Sequence, residues 1–257
     1  MKTIVIKCGG SVMDELTPTF FESLIELEKQ GYQLIFVHGG GPDINKMLDL
    51  FQVPHEFVQG LRKTTSQALE IVEMVLSGQT NRKLVAKLQS YGLKGFGLNG
   101  SDGGVLQGEF LDKEQLGFVG DVTKVNKEVI TMLLQDRFIP VITPIAVTED
   151  GEKLNINADF AAAAVANALE VEHCIFVTDV DGIMIDGNIV LQTNTEEIDS
   201  YINEGQITGG MIPKVKSAVA SIEKGIKSVM IVSGKKRFFD GLQWIGTEIN
   251  AKERVLK

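Results

Sequence analysis

The chain has 257 residues, 44% of them hydrophobic, which suffices for one large domain or two lobes with a core that needs no disulfide staple. Its 25 lysines and arginines against 34 acids leave a net charge of −9 with no lysine-rich run, which argues against nucleic acid as a partner. The two cysteines, Cys8 and Cys174, predict reduced thiols in a cytoplasmic protein; no secretory leader and no apolar run of ~20 residues, the length of a membrane span, is visible.

In chain order, Thr3-Ile4-Val5-Ile6 reads as a short buried strand that runs into Lys7-Cys8-Gly9-Gly10-Ser11. Thr17-Pro18 opens a helix, with proline at its first position, that reaches about Gln30 and ends at Gly31. Leu34 to Val37 is a strand followed at once by His38-Gly39-Gly40-Gly41-Pro42, and Pro42 starts a helix to about Phe51. Residues 65 to 90 have a helical pattern interrupted near Ser77-Gly78. Leu93 to Leu98 predicts a strand, residues 104 to 125 hairpins, Asn126 to Asp136 a helix and Phe138 to Thr143 a strand. An alanine-rich helix, Ala158 to Leu169, precedes the very apolar strand His173 to Thr178. Helices near 195 to 204 and 212 to 225 and the strand Ser228 to Val232 follow. Alternating strands and helices predict an α/β protein, a three-layer αβα sandwich with a mainly parallel central sheet. The expected division is an N-terminal lobe, 1–170, for substrate binding and dimerisation, and a C-terminal lobe, 171–257, for the nucleotide, with one sheet through both.

Two glycine turns at the carboxyl ends of early strands, each leading into a helix, mark the ligand edge of an open α/β sheet. In the first, Lys7 places a fixed cation beside the unshielded N–H groups of Gly9 and Gly10, a concavity suited to phosphate oxygens. Either turn alone reads equally as an ordinary strand end; together they favour an anion. Arg62, in Gln59-Gly60-Leu61-Arg62-Lys63-Thr64, could grip a carboxylate with two parallel hydrogen bonds, although a lone arginine more often sits solvated on the surface. In Asn155-Ile156-Asn157-Ala158-Asp159 the acid falls in the first turn of the alanine-rich helix, where the dipole favours it and the small residues behind it allow close packing. Lys214, after Gly209-Gly210, opposes the dipole at a helix start, a local cost that points to an anion nearby.

Other matches carry less. Gly95-Phe96-Gly97-Leu98-Asn99-Gly100 fits G-x-G-x-x-G, but Ser101-Asp102-Gly103-Gly104 follows where a helix should, so it reads as a turn-rich loop. Asp179-Val180-Asp181-Gly182 is not a calcium loop. It is similar to the D-x-D-G nucleophile strand of haloacid-dehalogenase-type phosphatases, but lies far from the N-terminus and is followed by Ile183 instead of threonine. The three histidines lack metal-ligand spacing; His38, beside the glycine run, is a candidate to line the site.

Taken together, Lys7 to Ser11, Val37 to Pro42, Gly60-Leu61-Arg62, Asn155 to Asp159, Thr178 to Ile183 and Gly210 to Lys214 occur in the order of the amino acid kinase superfamily, and the chain resembles that family over nearly its whole length. The Gly-Leu-Arg and Asn-x-Asn-Ala-Asp segments resemble the members that phosphorylate N-acetyl-L-glutamate. The resemblance implies transfer of the ATP γ-phosphoryl to the side-chain carboxylate of that acid, the second step of arginine biosynthesis. It implies that Lys7 and Lys214 stabilise the transferring group and that Asp159 holds both lysines. It implies Gly40, Gly41, Arg62 and Asn155 as the acid-binding residues. Gly9 and Gly10, Thr178, Asp179, Val180, Asp181, Gly182 and Ile183, and Gln206, Ile207 and Thr208 would bind ATP, with Mg2+ bridging its phosphates. A carboxylate is already ionised near neutrality, so no general base is needed, and the lack of a catalytic histidine or serine triad fits.

Arginine-inhibited members of the family carry an N-terminal helix before the first strand; here the sequence starts at that strand, so a homodimer unresponsive to arginine is expected. The segment Ala68 to Leu76, apolar on most sides, is either buried in the protomer or the dimer interface. Competing readings are a sibling kinase acting on aminoadipate-type acids, glutamate, aspartate or carbamate, a D-x-D-G phosphatase using Asp179, and a silent sensor. Arg62 disfavours carbamate, and retention of both lysines and Asp159 disfavours the sensor.

Overall fold

A computed structural model describes residues 2–251, so Met1 and the tail beyond 251, the outer ends of the two expected lobes, lie outside the described residues. The elements run β1 (Lys2–Cys8), α1 (Pro18–Lys29), β2 (Tyr32–His38), α2 (Gly41–Leu50), β3 (Phe57–Val58), β4 (Leu61–Arg62), α3 (Ser66–Glu73), α4 (Asn81–Ser90) and β5 (Gly95–Asn99). Then follow β6 (Leu106–Phe110), α5 (Lys113–Leu116), β7 (Val119–Val125), α6 (Lys127–Gln135), β8 (Ile139–Thr143), β9 (Ile145–Val147), β10 (Lys153–Ile156), α7 (Ala158–Ala168) and β11 (His173–Thr178). The last are β12 (Met184–Ile185), β13 (Asn188–Ile189), β14 (Gln192–Asn194), α8 (Thr195–Asn203), α9 (Met211–Glu223), β15 (Ser228–Ser233) and β16 (Thr247–Asn250).

Eight strands form the central sheet in the order β14-β16-β15-β11-β1-β2-β8-β5. Its pairings are parallel except for β15 with β16. Helices cover both faces, as the continuous apolar runs of β2, β8 and β11 require. On one face Ile4, Ile6 and Cys8 of β1 pack with Phe20, Phe21, Leu24 and Leu27 of α1 and Leu84 and Leu88 of α4. On the other, Val5 packs with the alanines of α7, with Ile130 of α6 and with Val215 and Ala218 of α9. The alternation along β1 matters for function, because Lys7 has the parity of Val5 and so emerges on the α7 side.

On either side of β8 the chain departs from the sandwich. The expected hairpins over 104 to 125 are met in part: β6 and β7 pair antiparallel, but β9 and β10 join them in a small closed barrel, β10-β7-β6-β9. This needs β10 to pair with β7 across more than 30 residues, which no local pattern announces. The interruption near Ser77-Gly78 is a π-helical turn, Met74–Thr80, and the chain stays helical from α3 to α4. Ile71, Val72, Val75 and Leu76 are buried in the protomer against Ile44 and Leu48 of α2, so the apolarity of Ala68 to Leu76 is spent on this core and is no argument for a dimer; Met74 alone of its large apolar side chains stays exposed.

Candidate active site

The carboxyl ends of β1 and β2 bring the two glycine turns into backbone contact. A Cβ built on Gly10 would stand 2.6 Å from the Gly40 Cα, and the Gly39 N–H donates to the Cys8 carbonyl at 2.9 Å. No side chain fits there, so both turns present bare main chain to the sheet edge. A Cβ on Gly40 would meet Leu76 Cδ2 at 2.6 Å, which sets the π-helical turn against the same spot.

Gly40, Gly41, Arg62 and Asn155 line one cavity of about 200 Å³, together with Ile44, Phe57, Leu76 and the Asn157-Ala158 turn. Arg62 reaches it from the β3–β4 hairpin, whose two-residue turn, Gln59 and Gly60, has positive φ at both positions, matching the strand twist. Phe57 faces Arg62 across that hairpin, and its ring centroid lies 4.6 Å from the guanidinium carbon. Arg62 Nη2 donates to Asn45 Oδ1 at 2.5 Å, while Nη1 is buried without a protein partner. Burial lowers the guanidinium pKa, but arginine keeps its charge at any working pH. An unpaired buried N–H of a cation is costly, and a carboxylate in the cavity would relieve it.

Lys7, Asp159, Thr178 and Lys214 line a second cavity of about 220 Å³ with Phe176 and Ser217. Asn157 caps α7, its Oδ1 accepting from the N–H groups of Asp159 and Phe160, so Asp159 is fixed in the first turn. Lys7 Nζ lies 2.7 Å from Asp159 Oδ1, a charge contact off the hydrogen-bond direction, and 5.4 Å from the Phe176 ring centroid. Ser217 Oγ donates to Asp159 Oδ2. Of the two lysines expected to be held by Asp159, the structure brings Lys7 against it and not Lys214. Lys214 Nζ instead pairs with Asp179, which holds that carboxyl below the usual range and supplies the anion that a lysine at the start of α9 calls for. In the first turn of α7, Ala158 lines one cavity and its neighbour Asp159 the other.

The nucleotide candidates divide. Thr178 lines the lysine cavity, and Asp179 touches it through Lys214; Asp181 pairs with Lys236 at 2.5 Å. Gly9 stands beside Lys7, a Cβ on it falling 3.8 Å from Nζ. Val180 and Gly182 shape the turn, with Thr178 Oγ1 accepting from the Val180 N–H and Gly182 at φ 148°. Ile183 and Ile207 are core residues, so their side chains cannot line a nucleotide site. Their N–H groups are also engaged, by Thr247 Oγ1 and the Tyr201 carbonyl. Gln206 and Thr208 lie exposed on either side of Ile207. His38 likewise stays out of the site: fully buried, it lies within hydrogen-bond distance of Asn81 and Thr143, and desolvation lowers its pKa to about 4. Cys8, also buried, has its thiol pKa raised to about 12 by desolvation and is unreactive at neutral pH. A roomier hollow of about 430 Å³ lies at the starts of β2 and β8, the other edge of the sheet, and none of the motifs reaches it.

Sequence reasoning missed Ser217, Asn45, Phe57 and Thr64. Ser217 had a signal, since it follows Lys214 by three residues and shares its helix face. The others act through partners that only the tertiary fold supplies.

A parallel sheet with glycine turns at its carboxyl edge, facing lysines there and an arginine-bearing hairpin beside them define a phosphoryl-transfer fold. The family model described as Amino acid kinase family matches residues 2–233, and the chain belongs to that family. Among curated relatives it is 52% identical, over 248 residues and 96% of both chains, to the acetylglutamate kinase of Geobacillus sp. (strain WCH70). It is 49% identical, over 99% of this chain and 98% of the relative, to the acetylglutamate kinase of Geobacillus stearothermophilus. The crystal structure of smu.665 from Streptococcus mutans UA159 superposes with a TM-score of 0.83 at 35% identity, covering 96% of this chain and 98% of that one. Membership of this family implies the use of ATP, and no helix among the described residues is long and apolar enough to cross a membrane.

Proposed function

We infer that this protein transfers the γ-phosphoryl group of ATP to the side-chain carboxylate of N-acetyl-L-glutamate, giving an acyl phosphate for arginine biosynthesis. The observation that carries this reading is that neighbouring residues in the first turn of α7, Ala158 and Asp159, line two cavities: one offers Arg62 with an unpaired N–H, the other Lys7 and Lys214. Similarity of about half the residues to relatives named acetylglutamate kinase fixes the choice of acid within the family.

The chemistry asks for little covalent help. The acid's carboxylate, with a pKa of about 4.3, is an ionised nucleophile at neutral pH. The obstacle is repulsion between it and the triphosphate; two like charges 4 Å apart repel by about 4 kcal/mol at an effective dielectric of 20. Arg62, aided by Asn155 and the N–H groups of Gly40 and Gly41, anchors the α-carboxylate end, leaving the side-chain carboxylate to point toward the lysines. Lys7 and Lys214 offset the charge on the transferring phosphoryl oxygens, and Asp159 keeps Lys7 aimed at them. Gly9, Gly10, the Thr178 turn, Gln206 and Thr208 hold the nucleotide. Lys214 exchanges Asp179 for phosphate oxygens as ATP binds. No cluster of three or more histidine, cysteine or acidic side chains among the described residues could hold a metal ion, so Mg2+ would come with the ATP phosphates and would offset charge on the transferring group beside Lys7 and Lys214.

Two free, buried cysteines fit a cytoplasmic location. We also infer a homodimer, now on other grounds than Ala68 to Leu76. Strand β5 ends the sheet with an open edge, and Phe96 on it stacks edge-on with Phe138 while both rings remain over a third exposed.

Incubation with ATP, Mg2+, hydroxylamine and a panel of acids tests the function. N-acetylglutamate should give a hydroxamate far faster than glutamate, aspartate or aminoadipate. Equal or faster reaction with another acid overturns the choice of substrate, and no hydroxamate with any acid overturns the kinase reading.

A further inference from the structure

We propose that Thr64 is the positioning residue that presents Arg62 and Asn155 to the acid substrate as one receptor and sets its preference for an N-acylated acid; the inference rests on the reading above. Thr64 is fully buried. Its hydroxyl donates to the Arg62 carbonyl at 2.7 Å and lies 3.1 Å from Asn155 Nδ2. A hydroxyl has one proton. With that proton on the Arg62 carbonyl, Oγ1 can only accept from Asn155, so the amide must turn its NH2 end to Thr64. Oδ1 is then the acceptor left to a residue that lines the acid cavity.

The main chain reinforces the arrangement. The Thr64 N–H donates to the Leu116 carbonyl at 2.9 Å, the Phe118 N–H to the Thr64 carbonyl at 2.7 Å, and the Asn155 N–H to the Phe118 carbonyl at 2.9 Å. Phe118 thus ties the segment after the hairpin to β10. Gly117 permits the approach, since a Cβ there would stand 2.3 Å from the Thr64 carbonyl oxygen. The hydroxyl therefore joins a cationic donor to a neutral acceptor in one rigid unit. An N-acylated amino acid offers the matching pair, a carboxylate for Arg62 and a single uncharged N–H for Asn155 Oδ1. A free amino acid would bring an ammonium group close to the buried guanidinium, and like charges there repel.

Replacing the hydroxyl by a methyl in Thr64→Val keeps the volume, leaves the Arg62 carbonyl and the Asn155 amide unpaired, and frees the amide to turn over. Steady-state kinetics with N-acetylglutamate and with glutamate provide the test. The expected result for Thr64→Val is at least a tenfold rise in KM for N-acetylglutamate, less than a twofold change in KM for ATP and in kcat, and a smaller preference for N-acetylglutamate over glutamate. Thr64→Ser, which keeps the hydroxyl, should restore the acid KM. In an Asn155→Ala background, Thr64→Val should add much less than its own single effect. Should Thr64→Val not fold, Thr64→Ala against Thr64→Ser, which differ by the hydroxyl alone, decide the question. An acid KM indifferent to the hydroxyl, or equal losses toward ATP and acid, overturns the inference while the kinase reading stands. A wild type that phosphorylates none of the acids overturns that reading and this inference with it.

Discussion

Lys7 reaches the cavity it shares with Lys214 because of its parity on β1: Ile6 and Cys8 point into the α1 face, so the residue between them must point toward α7 and Asp159. If Lys7 and Lys214 each stabilise the transferring phosphoryl group, Lys7→Met or Lys214→Met should lower kcat by about 10²–10³-fold, a cost of about 2.7–4 kcal/mol, with little change in thermal unfolding. Unchanged kcat in either variant would remove that residue from the chemistry. Asp159→Asn should lower kcat less than loss of Lys7, since the amine stays but is no longer held. His38 supplies a pH dependence of stability. Its folded pKa is about 4, below the ordinary 6.5, so between those values the unfolded chain binds the extra proton. Stability should therefore be intact above about pH 6.5 and fall by about 1.4 kcal/mol per pH unit as pH drops toward 4. Denaturant melts of the wild type and His38→Gln across that range should differ in slope; equal slopes would contradict the burial of a neutral imidazole. The glycines and lysines were legible because they stand out locally at element ends, and Arg62 and Asp159 because they stand in motifs that take their place in order with those turns. Thr64 and Asn45 were not, because Asn155 and Arg62, their partners in the site, lie 91 and 17 residues away in the chain and become meaningful only once packed.

At the scale of elements, the site is a meeting of turns. Gly10 and Gly40 touch main chain to main chain, whereas the obstacle to a side chain on Gly40 is the flexible end of Leu76. Gly10→Ala should accordingly destabilise by about 1–3 kcal/mol, Gly40→Ala by less, and Gly41→Ala, with nothing within 4 Å of its Cβ, by least. Thermal unfolding of the three variants gives the order; a Gly41→Ala variant less stable than Gly10→Ala would contradict the contact. Strands and helices that bury a continuous face, such as β11 and α7, were legible from periodicity. The π-helical turn was read as a break because a helix that inserts one residue to stay against Gly40 has the same local pattern as one that stops. The small barrel was invisible for a different reason, since the local pairs β6-β7 and β9-β10 close into it only through the distant pairings of β10 with β7 and of β9 with β6.

At the scale of the molecule, an acidic protein concentrates a few cations at one edge of its sheet, and the elements that carry them come from both ends of the chain. Residues on either side of 170 share a single sheet, with β1 hydrogen-bonded to β2 on one flank and β11 on the other. If β5 and its exposed phenylalanines form the subunit contact, sedimentation at micromolar concentration should give a dimer, and Phe96→Lys should shift it to monomer; a monomeric wild type contradicts the assignment. The most direct test of the whole account is a crystal structure with N-acetylglutamate and a non-hydrolysable ATP analogue. The prediction is that the amino groups of Lys7 and Lys214 both lie within hydrogen-bonding distance of the γ-phosphoryl group, with the acid's α-carboxylate on Arg62 and its side-chain carboxylate in line for attack. Lysines facing separate ligands, or an acid bound away from Arg62, would contradict it.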